Sequence, residues 1–298
     1  MSPTRGTLAG VVAALLALET GCGPSAGTAG VESGIALGVS KSARLEVSAA
    51  WDPIREWSQG MKDKFPGFFE YEVALPLREY AGSDFEAFLP DHPVKVGEIW
   101  PIEVERTLPF WRQFSPEARP TLHHGKVGQG GYACLRAADE VEAEVIFRMH
   151  GEYVLKEGKV FFTPGQFAGR LLLDRKTGAV RYFRMWLPDR RPNVDVNVAF
   201  EHEYEVDGVK KKGFAFDADI VYVPRMELEG GATRRPADDR AWTAWVEEEE
   251  ARERLKERFY RAEQVTWMSV DDAARVSKET GKPMHMIVMF GTLDDESC

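Results

Sequence analysis

The chain closes on Gly291-Thr292-Leu293-Asp294-Asp295-Glu296-Ser297-Cys298, directly after an apolar run from Met284 to Phe290. A cysteine in a small loop after a central strand, ahead of a helix start, suits thiol chemistry. The thiolate is the reactive form, and a helix dipole with nearby N–H groups favours it. Asp294, Asp295 and Glu296 act in the opposite sense, because neighbouring negative charge disfavours a thiolate. No CxxC spacing is present. The residues alone therefore leave Cys298 with two readings, a redox-active thiol or an inert terminal cysteine.

Other chemistry-bearing residues are less directed. The three cysteines, Cys22, Cys134 and Cys298, match neither a zinc spacing nor a disulfide scaffold. Cys134, within Gly131-Tyr132-Ala133-Cys134-Leu135, reads as a small buried strand residue. His123 and His124 are adjacent in a polar loop, where their side chains diverge, so a packing or surface role is expected before a metal site. Asp195-Val196-Asn197 opens like a calcium-binding loop, but Phe200 stands at the sixth position, where glycine is required. No metal ligand is assigned. The acidic run Glu247 to Glu250 reads as a solvated helix face. Asn193 and Asp195, beside Arg190 and Arg191, read either as a cleft wall or as a structural turn, and the turn is preferred. No serine–histidine–acid set, phosphate loop or dinucleotide motif is present.

The elements that must position Cys298 follow from composition and pattern. The net charge of -10 over 298 residues argues against nucleic acid and against an anionic membrane surface as partners. Residues 1–24 read as a signal peptide or lipoprotein signal. Arg5 precedes the apolar stretch Leu8 to Leu18, and Gly21 precedes Cys22, a candidate lipidation site, although Glu19 departs from the usual pattern. Export to a periplasm or envelope, with an anchor through Cys22, is the corresponding expectation. Residues 25–42 read as a flexible linker. Residues 43–235 form a β-rich body, with strands expected at 70–75, 141–148, 160–162, 170–173, 179–186 and 218–223, and a hairpin turn at Asp174–Gly178. A connecting helix is expected over 236–262, capped by Asp238 or Asp239, with Glu248–Arg252 and Glu250–Arg254 at i, i+4 spacing. Over 263–298 a strand near Gln264–Trp267, a helix Val270–Thr280 between Ser269 and Gly281, and a strand Met284–Phe290 make a βαβ unit. The fold class is therefore α+β: a β-rich body, a long helix, and the first βαβ part of a thioredoxin-like domain.

The terminal run resembles the redox site of the selenoprotein N family. There a Gly-x-Leu-Asp-Asp-x-Ser-Cys stretch is followed by selenocysteine and glycine. The resemblance continues upstream, in order, through Phe88-Leu89-Pro90-Asp91-His92, Val96-Gly97-Glu98-Ile99-Trp100, His123-His124, Thr163-Pro164-Gly165-Gln166-Phe167, Val180-Arg181-Tyr182-Phe183-Arg184, Asn193-Val194-Asp195 and Tyr222-Val223-Pro224-Arg225-Met226-Glu227-Leu228-Glu229. It covers roughly residues 85 to 298.

The resemblance implies a thiol–disulfide oxidoreductase that uses a cysteine–selenocysteine pair. Cys298 would be the resolving thiol, and Ser297 would hydrogen-bond to either chalcogen. No separate cofactor is implied; the selenocysteine is expected directly after Cys298, which leaves the chain as given inactive. Its substrate would be a protein or small-molecule disulfide. A second implied reading is a redox-regulated binding module for a membrane or envelope protein such as an ion pump. Calcium sensing, carried by an EF-hand in animal members, is not transferred. The expectation is checked in the genomic DNA: codon 299 should be an in-frame UGA followed by open frame and a selenocysteine insertion element, and UAA or UAG there would overturn it.

Overall fold

The computed structural model describes residues 34–67, 70–119, 130–231, 242–259 and 266–286. Strands β1 (Arg44–Trp51), β2 (Leu77–Ala81), β3 (Ile99–Pro101) and β4 (Ala118–Arg119) alternate with three short helices, α1 (Gln59–Lys64), α2 (Gly82–Phe85) and α3 (Leu108–Phe114). Six strands then follow: β5 (Gly131–Ala138), β6 (Glu142–Met149), β7 (Glu152–Leu155), β8 (Val160–Pro164), β9 (Phe167–Asp174) and β10 (Val180–Trp186). β11 (Val194–Val206) and β12 (Val209–Val221) make a long hairpin. β13 (Met226–Gly231), β14 (Ala244–Trp245), α4 (Glu248–Lys256) and α5 (Val270–Thr280) complete the series.

Two antiparallel sheets result. The larger has nine strands in the order β14-β5-β6-β9-β10-β13-β1-β2, with β3 also on β5. The smaller runs β12-β11-β8-β7-β4. An aromatic core joins them. Tyr80 and Phe110 stack at 4.4 Å, Phe88 meets Phe147 at 4.5 Å, and Trp51 meets Phe162 at 5.1 Å. Strand alternation sorts the residues of β6. Val145, Phe147 and Met149 face this core, while Ile146 belongs to a separate cluster with Ala251 and Leu255 of α4 on the opposite face.

Several expectations hold. The mostly antiparallel β-rich body is present. The turn after β9 is stapled by Asp174, whose Oδ1 accepts from the N–H groups of Lys176 and Thr177, with Gly178 at φ 67°. Helix α5 spans Val270–Thr280, with the Ser269 hydroxyl accepting from the Asp272 N–H at 3.1 Å and Gly281 at φ 68°.

Others are corrected. Residues 34–42 are not a linker. Ile35 is buried and exchanges two backbone hydrogen bonds with Val94, and Ser40 N–H donates to Gly178 C=O. Residues 70–75 form no strand. Ala74 and Leu75 instead donate their N–H groups to Phe114 and Gln113 at the end of α3. The helix expected over 236–262 begins at Glu248, because Ala244 and Trp245 pair with Ala138 and Ala137 on the sheet edge. Thr266, Trp267 and Met284–Met286 lie outside any strand, so α5 is the described part of the expected βαβ unit; none of its residues is buried. Cys22, His123, His124, Ser297, Cys298 and residues 287–290 lie outside the described residues.

Gly169 on β9 faces Phe147 on β6 directly. A Cβ there would lie 1.9 Å from Phe147 Cε2, and that ring is held between Phe88 and Phe183. Gly169→Ala is expected to destabilise the body by about 3 kcal/mol through overpacking. Denaturant unfolding checks this; a loss under about 1 kcal/mol would show that the ring is free to move aside.

Candidate functional site

The outer face of the large sheet carries an unusual set of charges. Helix α4 crosses β5 and β6 and seats Ala251 and Leu255 against Tyr132, Cys134 and Ile146. Its sequence suits its direction, with Glu248, Glu249 and Glu250 in the first turn and Arg254 and Lys256 in the last. Both expected i, i+4 pairs form. Arg252 Nη2 lies 2.6 Å from Glu248, and Arg254 Nη1 lies 3.8 Å from Glu250.

Glu248 is not part of a solvated acidic face, as the sequence pattern implied. It is the fourth member of a ladder that starts under the helix. Arg136 of β5 bonds Glu144 of β6, a carboxylate with no solvent exposure. Arg170 of β9 reaches Glu144 at 3.5 Å and also bonds Glu248, which Arg252 grips from the helix. Burial pushes the Glu248 pKa upward, but the Arg252 and Arg170 guanidiniums outweigh it and hold the carboxyl below its ordinary range. Desolvation lowers Arg252 despite Glu248.

Beside this ladder lies a cleft of about 540 Å³ between α4, β9, β10 and the segment after β10. Trp186 and Pro188 supply apolar wall, and Arg148, Arg190, Arg252 and Lys256 with Glu248, Glu249 and Glu253 supply charges of both signs. Arg148 is fixed by the buried Gln166, whose Oε1 accepts from its Nε. The Arg184 and Arg252 guanidiniums lie over the Trp186 ring at 4.7 and 5.0 Å. None of these cleft residues was singled out as a site from the sequence. The available signal was charge at the outward positions Glu144, Arg148 and Arg170, inside otherwise apolar strands.

Cys134 has the buried strand position expected of it. It is fully buried, and desolvation pushes its thiol up to about 11, so it is unsuited to attack. Asp195 and Asn197 sit within β11 rather than in a loop. Asn193 is a structural clamp: its Oδ1 accepts from the Val223 N–H and its Nδ2 donates to the Val223 C=O, both at 2.9 Å. His92 bridges Asp91 and Glu98 at 2.8 and 3.2 Å, and these hydrogen bonds raise its pKa. Among the described residues no cluster of three or more histidine, cysteine or acidic side chains is arranged to hold a metal ion.

Comparison with known proteins gives a consistent answer. The chain is 27% identical to selenoprotein N of Homo sapiens, 28% to that of Danio rerio and 26% to that of Mus musculus, in each case over 76% of its own length. The chain is selenoprotein N-like. It spans about half the length of these curated relatives, from 45% to 48%. No family model and no solved structure matches it.

Several of the described segments that resemble selenoprotein N are partners of one another. Trp100 Nε1 donates to Phe88 C=O at 3.1 Å, and His92 meets Glu98. Tyr182 OH donates to Glu229 at 2.7 Å, and Arg184 pairs with Glu227 at 2.7 Å. Asn193 clamps Val223, and Thr163 and Pro164 pair with Asp195 and Val194 across β8 and β11.

Glu144 is the keystone of the ladder. Glu144→Gln leaves Arg136 and Arg170 on a neutral amide and is expected to cost about 3–5 kcal/mol, since it breaks a buried ion pair from one side. For a body of this size that lowers the melting temperature by roughly 10 °C. A calorimetric shift under about 2 °C would show that the ladder does not hold the helix.

Proposed function

We propose that the protein is a selenoprotein N-like thiol–disulfide oxidoreductase, with Cys298 the resolving thiol of a cysteine–selenocysteine pair. The observation that carries this reading is the run Leu293-Asp294-Asp295-Glu296-Ser297-Cys298 behind a selenoprotein N-like body. The buried and poorly acidic Cys134 supports it indirectly, because that thiol does not compete for the role.

The chemistry balances in two steps. A selenolate attacks one sulfur of a substrate disulfide, forms a selenium–sulfur bond to it and releases the other sulfur as a thiolate. The Cys298 thiolate then attacks selenium, closes the internal selenenylsulfide and releases the second substrate thiol. The pair loses two electrons and the substrate gains them; an external dithiol restores the pair. Ser297 donates a hydrogen bond that stabilises the leaving chalcogen. Export, with Cys22 as the anchoring residue, belongs to the same proposal, because it places the pair where disulfides persist.

A second reading is favoured by one specific feature. Phe214 and Phe216 project from one face of β12 with 75% and 56% exposure. A binding module that docks a partner through this hairpin, with the redox pair as its regulator, accounts for them.

The two readings separate in one assay. The full-length protein, carrying selenocysteine or cysteine after Cys298, is expected to catalyse insulin reduction by a dithiol. Cys298→Ser should abolish turnover, and Cys134→Ser should leave it intact. Absence of turnover together with stoichiometric co-purification of one partner would overturn the enzyme reading in favour of the module.

A further inference from the structure

We propose that one face of the β11–β12 hairpin is a self-association surface, and that its occupant is a second copy of this chain. The two strands pair in fixed register, with Ala199 beside Phe216, Glu201 beside Phe214, Glu203 beside Lys212 and Glu205 beside Lys210. Strand alternation and cross-strand pairing put these side chains on one face of the ribbon. That face is open: Phe214, Phe216 and the glutamates and lysines beyond them are all exposed. The opposite face is covered at its base, where Phe65 meets Phe200 at 6.1 Å and Lys64 Nζ lies over the Phe200 ring at 4.4 Å.

The order of the charges selects the occupant. Toward the tip, the open face of β11 carries Glu201, Glu203 and Glu205, and that of β12 carries Lys212 and Lys210. A two-fold axis along the ribbon lays β11 of one copy over β12 of the other, with no shift along the strands. Each cross-strand neighbour then becomes a facing neighbour in the second copy, as a self-complementary contact requires. Glu203 faces Lys212 of the second copy, and Glu205 faces Lys210. Phe216 falls on the small Ala199, and Phe214 on the methylene stem of Glu201. Within one ribbon Glu203 and Lys212 approach only to 3.9 Å, which leaves both open to a second opposite charge. An anionic lipid surface does not match this face, because it would meet the glutamates together with the lysines, on a chain of net charge -10. The contact is independent of the redox pair. It gives to a second copy the face that the module reading gives to another protein.

Sedimentation velocity on the full chain is expected to show a reversible monomer–dimer equilibrium that weakens with added salt. Phe214→Ser with Phe216→Ser should shift it to monomer, with the melting temperature held within about 2 °C because both side chains are exposed. A charge-exchanged variant carries Glu203→Lys, Glu205→Lys, Lys210→Glu and Lys212→Glu, and so keeps the pairs within its own ribbon. It should dimerise with itself as the wild type does. With the wild-type chain it should pair about tenfold less tightly, because like charges then face each other. A monomer at sub-millimolar concentration would overturn the proposal, whatever other protein the face then captures. So would a dimer that survives both phenylalanine substitutions, or a mixed dimer as tight as the two pure ones.

Discussion

Glu144 is a carboxylate without solvent exposure in the middle of a strand, and the outer face of the large sheet is arranged around it. An ion moved out of water costs several kcal/mol unless partners surround it. β6 cannot supply those partners, because its next outward residues are Ile146 and Arg148. They come from the strands on either side, Arg136 on β5 and Arg170 on β9. Arg170 in turn needs a second acid, and Glu248 in the first turn of α4 provides it. The helix is thereby pinned at its N-terminal end by charge and along its length by Ala251 and Leu255. Exposed pairs on the same helix, such as Arg254 with Glu250, contribute at most about 1 kcal/mol. The buried ladder decides where α4 lies, and the position of α4 creates the cleft.

That dependence explains what the sequence could disclose. Interactions closed within a few residues were readable: the Asp174–Gly178 turn, the Ser269 and Gly281 caps of α5, and the i, i+4 pairs of α4. Each is set by local backbone geometry and side-chain type. The start of α4 was not readable, because Ala244 and Trp245 join an edge more than a hundred residues earlier in the chain. The same holds for residues 34–42, whose partners are Val94 and Gly178. Glu144, Arg148 and Arg170 looked like the solvent half of alternating strands. Alternation identifies a face; it does not say what covers it. The redox reading rests on residues 291–298, where sequence and resemblance carry the whole argument.

The resemblance to selenoprotein N acquires a physical content from the structure. Its scattered segments, read in order along the chain, meet in pairs: Phe88 with Trp100, His92 with Glu98, Tyr182 with Glu229, Arg184 with Glu227, Asn193 with Val223. Two of these, Tyr182 with Glu229 and Arg184 with Glu227, are side-chain hydrogen bonds between the neighbouring strands β10 and β13. Such contacts fix register, and a register shift of one residue would turn the charged face into the core. These residues of the body are therefore accounted for by its architecture. Gln166 differs, since the side chain it fixes, Arg148, lines the cleft.

The body also treats its two surfaces differently. The base of β12 is covered, because Arg55 and Tyr222 exchange backbone hydrogen bonds and Ser58 N–H donates to Asp219. Farther out, Lys210, Lys211 and Lys212 guard the strand edge in the usual way, by charge. Phe214 and Phe216 sit just beyond that protection. The cleft lies elsewhere, at the end of α4. There Phe259 packs edge-on against Tyr132 at 5.4 Å and meets the Arg148 guanidinium at 6.0 Å. Phe259 thus lies beside the cleft, on an aromatic contact to the same sheet that carries Glu144.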